Sequence, residues 1–284
     1  MLESIINPKE AEKGPWKMFF VGLIYASVSI LLVKFLFPND PLANGMTVVA
    51  FCVMFSLPFM YYLIKREEKM DEDIEGIKHV WQVHGDAIYA FMWLFLGFVV
   101  AFSFWHIVLQ DPNLLNFQVE TYCKINNPGS IEKCIESYTI QGKAIDSFSI
   151  TSKGTRFFGI LENNLFVMIF TLIFSLLFGA GAIFVLIWNA SVIAAAIGIF
   201  SQYQLSEIPL GVGRYMLHGF PEIAAYFVTA LAGGIFCVGM VRNGFRSKKF
   251  IHIAENTLIL LFIAILILIF AAFLEVYLTP SIFG

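Results

Sequence analysis

Charge is scarce in this chain. Only 14% of its 284 residues are Asp, Glu, Lys or Arg, 58% are hydrophobic, and mean hydropathy is +0.77. Soluble domains run near 25% charged, so composition excludes an ordinary globular enzyme and indicates a polytopic membrane protein. A net charge of −3 leaves no basic excess for a nucleic-acid partner. Cysteine is scarce too, at four residues. No CxxC pair or Cys/His ligand spacing occurs, which argues against a structural zinc site. Cys52 and Cys237 lie in apolar runs as small inert residues. Cys123 and Cys134 lie in the one long polar loop, where a disulfide is expected if that loop faces an oxidising compartment. HExxH is missing, and no GxSG-type or GxGD motif stands on an apolar run, so no enzyme signature is present and no cofactor is implied. The N-terminus lacks a signal-peptide apolar core and cleavage site, so the first apolar run, beginning near Met18, reads as a retained span.

What is present is long apolar runs. A spanning helix needs about 20 apolar residues. The candidates are 17–37, 45–64, 87–109, 163–179, 181–201, 221–241 and 256–278. From Leu165 to Leu205 there is no charged residue. One straight helix of that length would be roughly 60 Å long, twice the hydrocarbon thickness. Gly179-Ala180-Gly181 is the flexible point near the middle, so a tight turn or re-entrant break is expected there. The fold class is therefore all-α, with about seven transmembrane helices.

Basic residues in the short loops set orientation. Loop 38–44 has none, whereas loop 65–86 carries Lys65, Arg66, Lys69 and Lys78, and loop 242–255 carries Arg242, Arg246, Lys248 and Lys249. Seven spans place both basic loops on one side. The N-terminus is then cytoplasmic and the C-terminus extracytoplasmic. Residues 110–160 become an extracytoplasmic lobe with turn signals, and the alternation in SYTIQGKAIDSFSIT suggests a hairpin. The chain divides into three N-terminal spans (1–109, with cytoplasmic loop 65–86), the lobe (110–160) and a four-span membrane core (161–284).

This topology gathers the ionisable groups near the membrane into one leaflet. Lys34, His106, Glu162, Asn164, Arg214, His218, Glu222 and Glu275 all fall near the outer side, and Asn189 is the main polar residue at depth. Burying a carboxylate in hydrocarbon costs at least a few kcal/mol, so such groups face a partner or a wet cavity. One reading is a polar outer cavity, with Arg214 paired to a carboxylate and His218 and Glu222 available for a proton, a cation or a metal. The plainer reading is helix punctuation: Pro221 and Glu222 would begin the sixth span, after an irregular or re-entrant segment containing Gly211 and Gly213. His218 and Glu222 share the i, i+4 spacing of metal ligands, a weak pair in the absence of a third. Asn189 suits a bond across helices. Ala225/Thr229/Gly233 and Ala190/Ala194/Gly198 form small-residue stripes for close packing, within the chain or in a homodimer.

Three blocks carry a family likeness: ENNLFVMIF at 162–170, FGAGAIFVLIWNASVIAAAIG at 178–198, and GRYMLHGFPEIAAYFVTALAGG at 213–234. Together they resemble the stage II sporulation protein M (SpoIIM-like) family, particularly its archaeal-type members, and FLGFVVAFSFWHIVL at 95–109 is similar to those members as well. The positions matched are Asn164, Asn189, His218, Gly219 and Glu222. The resemblance implies an integral membrane scaffold or anchor in a membrane-remodelling or envelope complex, without its own hydrolase domain. Its surroundings would be the lipid bilayer and protein partners reached through loop 110–160. The alternatives are a transporter or channel-like protein with an outer-leaflet cavity and, with less support, an intramembrane metal-dependent hydrolase.

Overall fold

A chain in lipid must satisfy every backbone polar group internally, and these apolar runs do so as helices. The computed structural model describes residues 14–38, 40, 44–71, 77–111, 113–126, 131–132, 134–135, 153–178, 180–244 and 246–283. The principal helices are α1 (Lys17–Leu36), α2 (Gly45–Asp71), α3 (Ile77–Leu109), α4 (Asn116–Asn126), α5 (Lys153–Phe178), α6 (Ile183–Phe200), α7 (Ile208–Asn243), α8 (Lys248–Phe273) and α9 (Thr279–Phe283). Seven helices among the described residues are long and apolar enough to cross a membrane, and no strand occurs among those residues. The expected hairpin at 137–151 lies outside the described residues.

Local signals fix several ends. Asn44 Oδ1 accepts from the backbone N–H groups of Met46 and Thr47 and caps α2. Ser247 does the same for α8 through Phe250 N–H. Gly244, at φ 72°, ends α7 by turning its own N–H to Met240 O. The uncharged run of 165–205 is divided as expected. After α5, a 3₁₀ turn at Ala180–Ala182 reverses the chain, and the Phe174 and Phe184 rings stack across it with centroids 6.0 Å apart.

Contacts give the relative directions. α1 and α3 run parallel: Gly22 lies against Gly97, Trp105 Nε1 donates to Ser27 Oγ over 2.9 Å, and Lys34 pairs with Asp111. A Cβ on Gly22 would collide with the Leu94 carbonyl, so this crossing requires glycine. α2 and α5 both run parallel to α7, through Ile64 against Gly234 and through Ser175 donating to Ala230 O. α6 and α8 run antiparallel to α7, through Ile197 against Gly211 and Ile253 against Gly239. The spans therefore alternate in direction along the chain.

α3, α6 and α7 fill the centre. Ala225, Thr229 and Gly233 are buried against neighbours within the chain, as are Ala190, Ala194 and Gly198. Phe91 and Phe227 stack at 4.0 Å in the middle of the bundle. Buried hydroxyls are satisfied locally: Ser56, Ser103, Thr229 and Thr257 each donate to the carbonyl four residues back.

Two features depart from the sequence reading. α7 is one helix of 36 residues, so Gly211 and Gly213 are helical and Pro221 is interior. Pro removes one N–H and leaves Leu217 O without its usual donor, which a packed membrane helix tolerates. α5 begins at Lys153, inside the segment expected to be lobe. Its charged first turns hid an uninterrupted helix.

Candidate functional site: a polar seam between the last two long helices

The antiparallel contact of α7 with α8 turns polar where the chain continues beyond α8 through a π-helical turn into α9. Arg214, His218, Glu222 and Tyr226 follow one another at four-residue spacing on one face of α7. The facing residues are Phe283, Thr279 and Glu275, also four apart. The two series meet rung by rung. Arg214 Nη1 donates to Phe283 O over 2.9 Å, and its guanidinium lies 4.9 Å from the Phe200 ring centre. His218 Nδ1 and Thr279 Oγ1 are 3.3 Å apart. Glu222 sits close enough to Glu275 for their charges to act on each other. Tyr226 donates its hydroxyl to Glu222 Oε1 over 2.9 Å.

Backbone geometry explains how Glu275 comes to face α7. Residues Leu274–Leu278 form a π-helical turn, which rotates the side chains relative to regular α-geometry. Thr279 Oγ1 donates to Leu274 O over 3.1 Å and closes that turn. α5 supplies the third wall. Arg156 lies near both Glu275 and His218, and Asn164, 4% exposed, faces Glu222. Asn164 Nδ2 stops short of a formed hydrogen bond among the described residues.

The seam thus holds two carboxylates, an imidazole, a phenol, an amide and two guanidinium groups. Chemically it can hold or pass a proton. Among the described residues no group of three or more His, Cys, Asp or Glu has the geometry to hold a metal ion.

The other sequence candidates fall elsewhere. Lys34 is engaged with Asp111. His106 is buried on α3 against Gly198 and 5.4 Å from the Tyr203 ring, with neither ring nitrogen bonded among the described residues. Burial pushes the Tyr203 phenol above its ordinary pKa. Gln202 and Tyr203 both have positive φ, at 49° and 58°, which makes this a strained connection between α6 and α7. Asn189 donates to Val185 O over 2.7 Å, a bond within its own helix rather than across helices. Glu162 is exposed on the outer face of α5. Arg214 finds a backbone carbonyl and a ring, not a carboxylate, among the described residues.

Sequence reasoning missed a second polar cluster at the opposite end of the bundle. Glu67, Glu68 and His84 are fully buried there. His84 Nδ1 lies 2.7 Å from Glu67 Oε2, and Arg242 donates to Glu68 Oε2 over 2.9 Å. The signal was available. Glu67 and Glu68 follow the buried pairs Phe59/Met60 and Leu63/Ile64 at helical spacing, so α2 carries its buried face onward into them. The cations Lys65, Arg66, Lys69 and Lys78 around them give the stretch the composition of a solvated loop.

No curated protein and no solved structure is detectably similar to this chain. The family profile described as Stage II sporulation protein M matches residues 18–280, from the start of α1 to the closing turn that carries Glu275 and Thr279. With nearly all of the bundle and its polar seam inside that match, this multi-pass membrane chain belongs to the stage II sporulation protein M family.

Proposed function

We propose that the protein is a non-enzymatic membrane scaffold, with its N-terminus cytoplasmic and its C-terminus extracytoplasmic, that recruits partners through the segment between α3 and α5. The observation that carries this reading is the anchoring of that segment to the bundle. Gln118 on α4 is fully buried, and its amide donates to Gly45 O over 3.3 Å and to Ser191 Oγ over 3.1 Å. Leu114 and Leu115 are buried beside it. Cys123 and Cys134 are joined, which ties the chain beyond α4 back to that helix. A segment braced in this way can transmit a partner's position to the spanning helices. A merely solvated loop has no use for such bracing. The basic residues at 65–69 and 242–249 support the orientation.

The test is to replace residues 136–150 with a Gly/Ser linker of equal length and compare co-purifying proteins by mass spectrometry. The scaffold reading expects at least one partner to be lost while the protein stays in the membrane. An unchanged set of partners would contradict it.

A second reading, transport across the membrane, rests on the apposition of Glu222 and Glu275 within the seam. Flux of ions and small solutes into liposomes containing the protein would support it, and equal flux in protein-free liposomes would oppose it. The metal-dependent hydrolase has least support, because His218 and Glu222 would need a third ligand.

A further inference from the structure

The surface of α5 differs from the other outward faces of the bundle. α1 presents Phe20, Ile24, Val28, Leu31 and Phe35, and α8 presents Leu258, Phe262, Leu266, Ile269 and Phe273. These stretches are apolar, as contact with acyl chains requires, and the exposed Glu255 one turn before Leu258 on α8 lies beside His252, 3.9 Å away. α5 presents Phe158, Phe166, Ile169 and Phe170, but it also exposes Glu162 and Asn163 among them. Phe158, Leu161, Glu162, Leu165, Phe166 and Ile169 line a shallow groove there. Glu162 has no cationic partner among the described residues.

Depth makes this costly. Measured back from Phe178 at about 1.5 Å per residue, a hydrocarbon layer of about 30 Å ends near Phe158. Glu162 then lies about 6 Å inside it, below the level of lipid headgroup amines. A short carboxylate cannot snorkel as far as a Lys or Arg can. The shallow groove around it is lined by five apolar side chains besides Glu162, a surface against which a ridge of side chains from another helix can pack.

We infer that this face of α5 is an intramembrane docking site for a transmembrane helix of a different protein that carries a Lys or Arg at the depth of Glu162; the inference rests on the scaffold reading and names its partner's chemistry. Charge complementarity selects the occupant. A second copy packed about a two-fold axis along α5 would bring Glu162 against its own equivalent. The nearest cation on the same helix, Arg156, is about 9 Å away along the axis. A lipid ammonium sits too high. A basic side chain descending from the partner's own helix reaches the carboxylate and leaves its stem in the groove.

A photo-crosslinking amino acid placed at Phe166, with one at Phe262 on α8 as control, tests this in the membranes of cells that make the protein. The expected result is a protein adduct from position 166 and not from 262. Mass spectrometry of that adduct should identify a transmembrane segment with Lys or Arg near its extracytoplasmic end. Glu162→Gln and Glu162→Lys should each reduce the adduct roughly ten-fold. Changing the partner's basic residue to Glu should restore it in Glu162→Lys only. Glu162 is exposed, so a preserved redox-dependent gel shift from Cys123–Cys134 serves as the folding control. Adducts only with a second copy, adducts only with lipid, or a partner adduct indifferent to both substitutions and to charge reversal would each overturn the inference. If replacing 136–150 removes partners but the Glu162 variants do not, the scaffold reading stands and this one falls. If neither change removes a partner, both fall.

Discussion

At the scale of single residues, glycines and carboxylates carry the sharpest expectations. Gly22 and Gly97 touch through their backbones, so Gly22→Ala must push α1 off α3. The expected cost is about 1–3 kcal/mol of unfolding free energy. Gly159 on α5 has nothing within 4 Å of an added Cβ, so Gly159→Ala should be neutral or stabilise by roughly 0.5–1 kcal/mol. Thermal unfolding in detergent, read on both variants, checks the pair. Glu222 distinguishes structure from activity. Removing its Tyr226 donor by Tyr226→Phe should cost about 1 kcal/mol. Glu222→Gln should likewise be a modest loss, and under the scaffold reading it should leave partner capture intact. Abolished flux with an intact fold would instead favour the transport reading. The four-residue spacing of Arg214, His218 and Glu222 was legible in the sequence, but the irregular segment expected before Pro221 would not have aligned them; the continuous helix α7 puts them on one face. The partners beyond α8 were not legible, because a π-helical turn sets the rotation of Glu275 and no periodicity rule forecasts that turn.

At the scale of elements, the number of spans and the break after α5 were legible for a physical reason. The uncharged run from Leu165 to Leu205 exceeds the bilayer, and Gly-Ala-Gly offers a place to turn. The ends of the helices were less legible. Charged turns do not stop a helix, so α2 runs on through Lys65–Asp71, α5 starts as early as Lys153, and α7 passes through Pro221. The break has a direct test. Single cysteines at Ala180 and Arg246 should react with a membrane-impermeant maleimide from one side, and cysteines at Lys153 and Leu205 from the other. Labelling of position 180 from the same side as 153 would overturn the alternating topology. The proline has one as well. Pro221→Ala restores the missing N–H and should raise the unfolding temperature. It should also shift Arg214 and His218 relative to Glu222, readable as a change in the accessibility of a cysteine at Phe283.

At the scale of the whole molecule, the bundle shows two polar clusters joined by the apolar, small-residue stretch of α7. One is the seam around Glu222, and the other is the Glu67–His84 and Glu68–Arg242 clasp. The braced segment beyond α3 sits at the seam's end of the bundle, and the basic loops sit at the clasp's end. If that segment is extracytoplasmic, Cys123–Cys134 forms there, and its reduction should cost about 3 kcal/mol for a loop of this size. Identical gel mobility with and without reductant would oppose both the bond and the orientation. A scaffold must work in company with a partner. Native membranes can be extracted into polymer nanodiscs, and the tagged protein measured by native mass spectrometry. The account predicts an assembly heavier than the 32.0 kDa chain that contains a second polypeptide, with the extra mass lost when residues 136–150 are replaced. A lone 32.0 kDa chain, or a mass unaffected by that replacement, would contradict it.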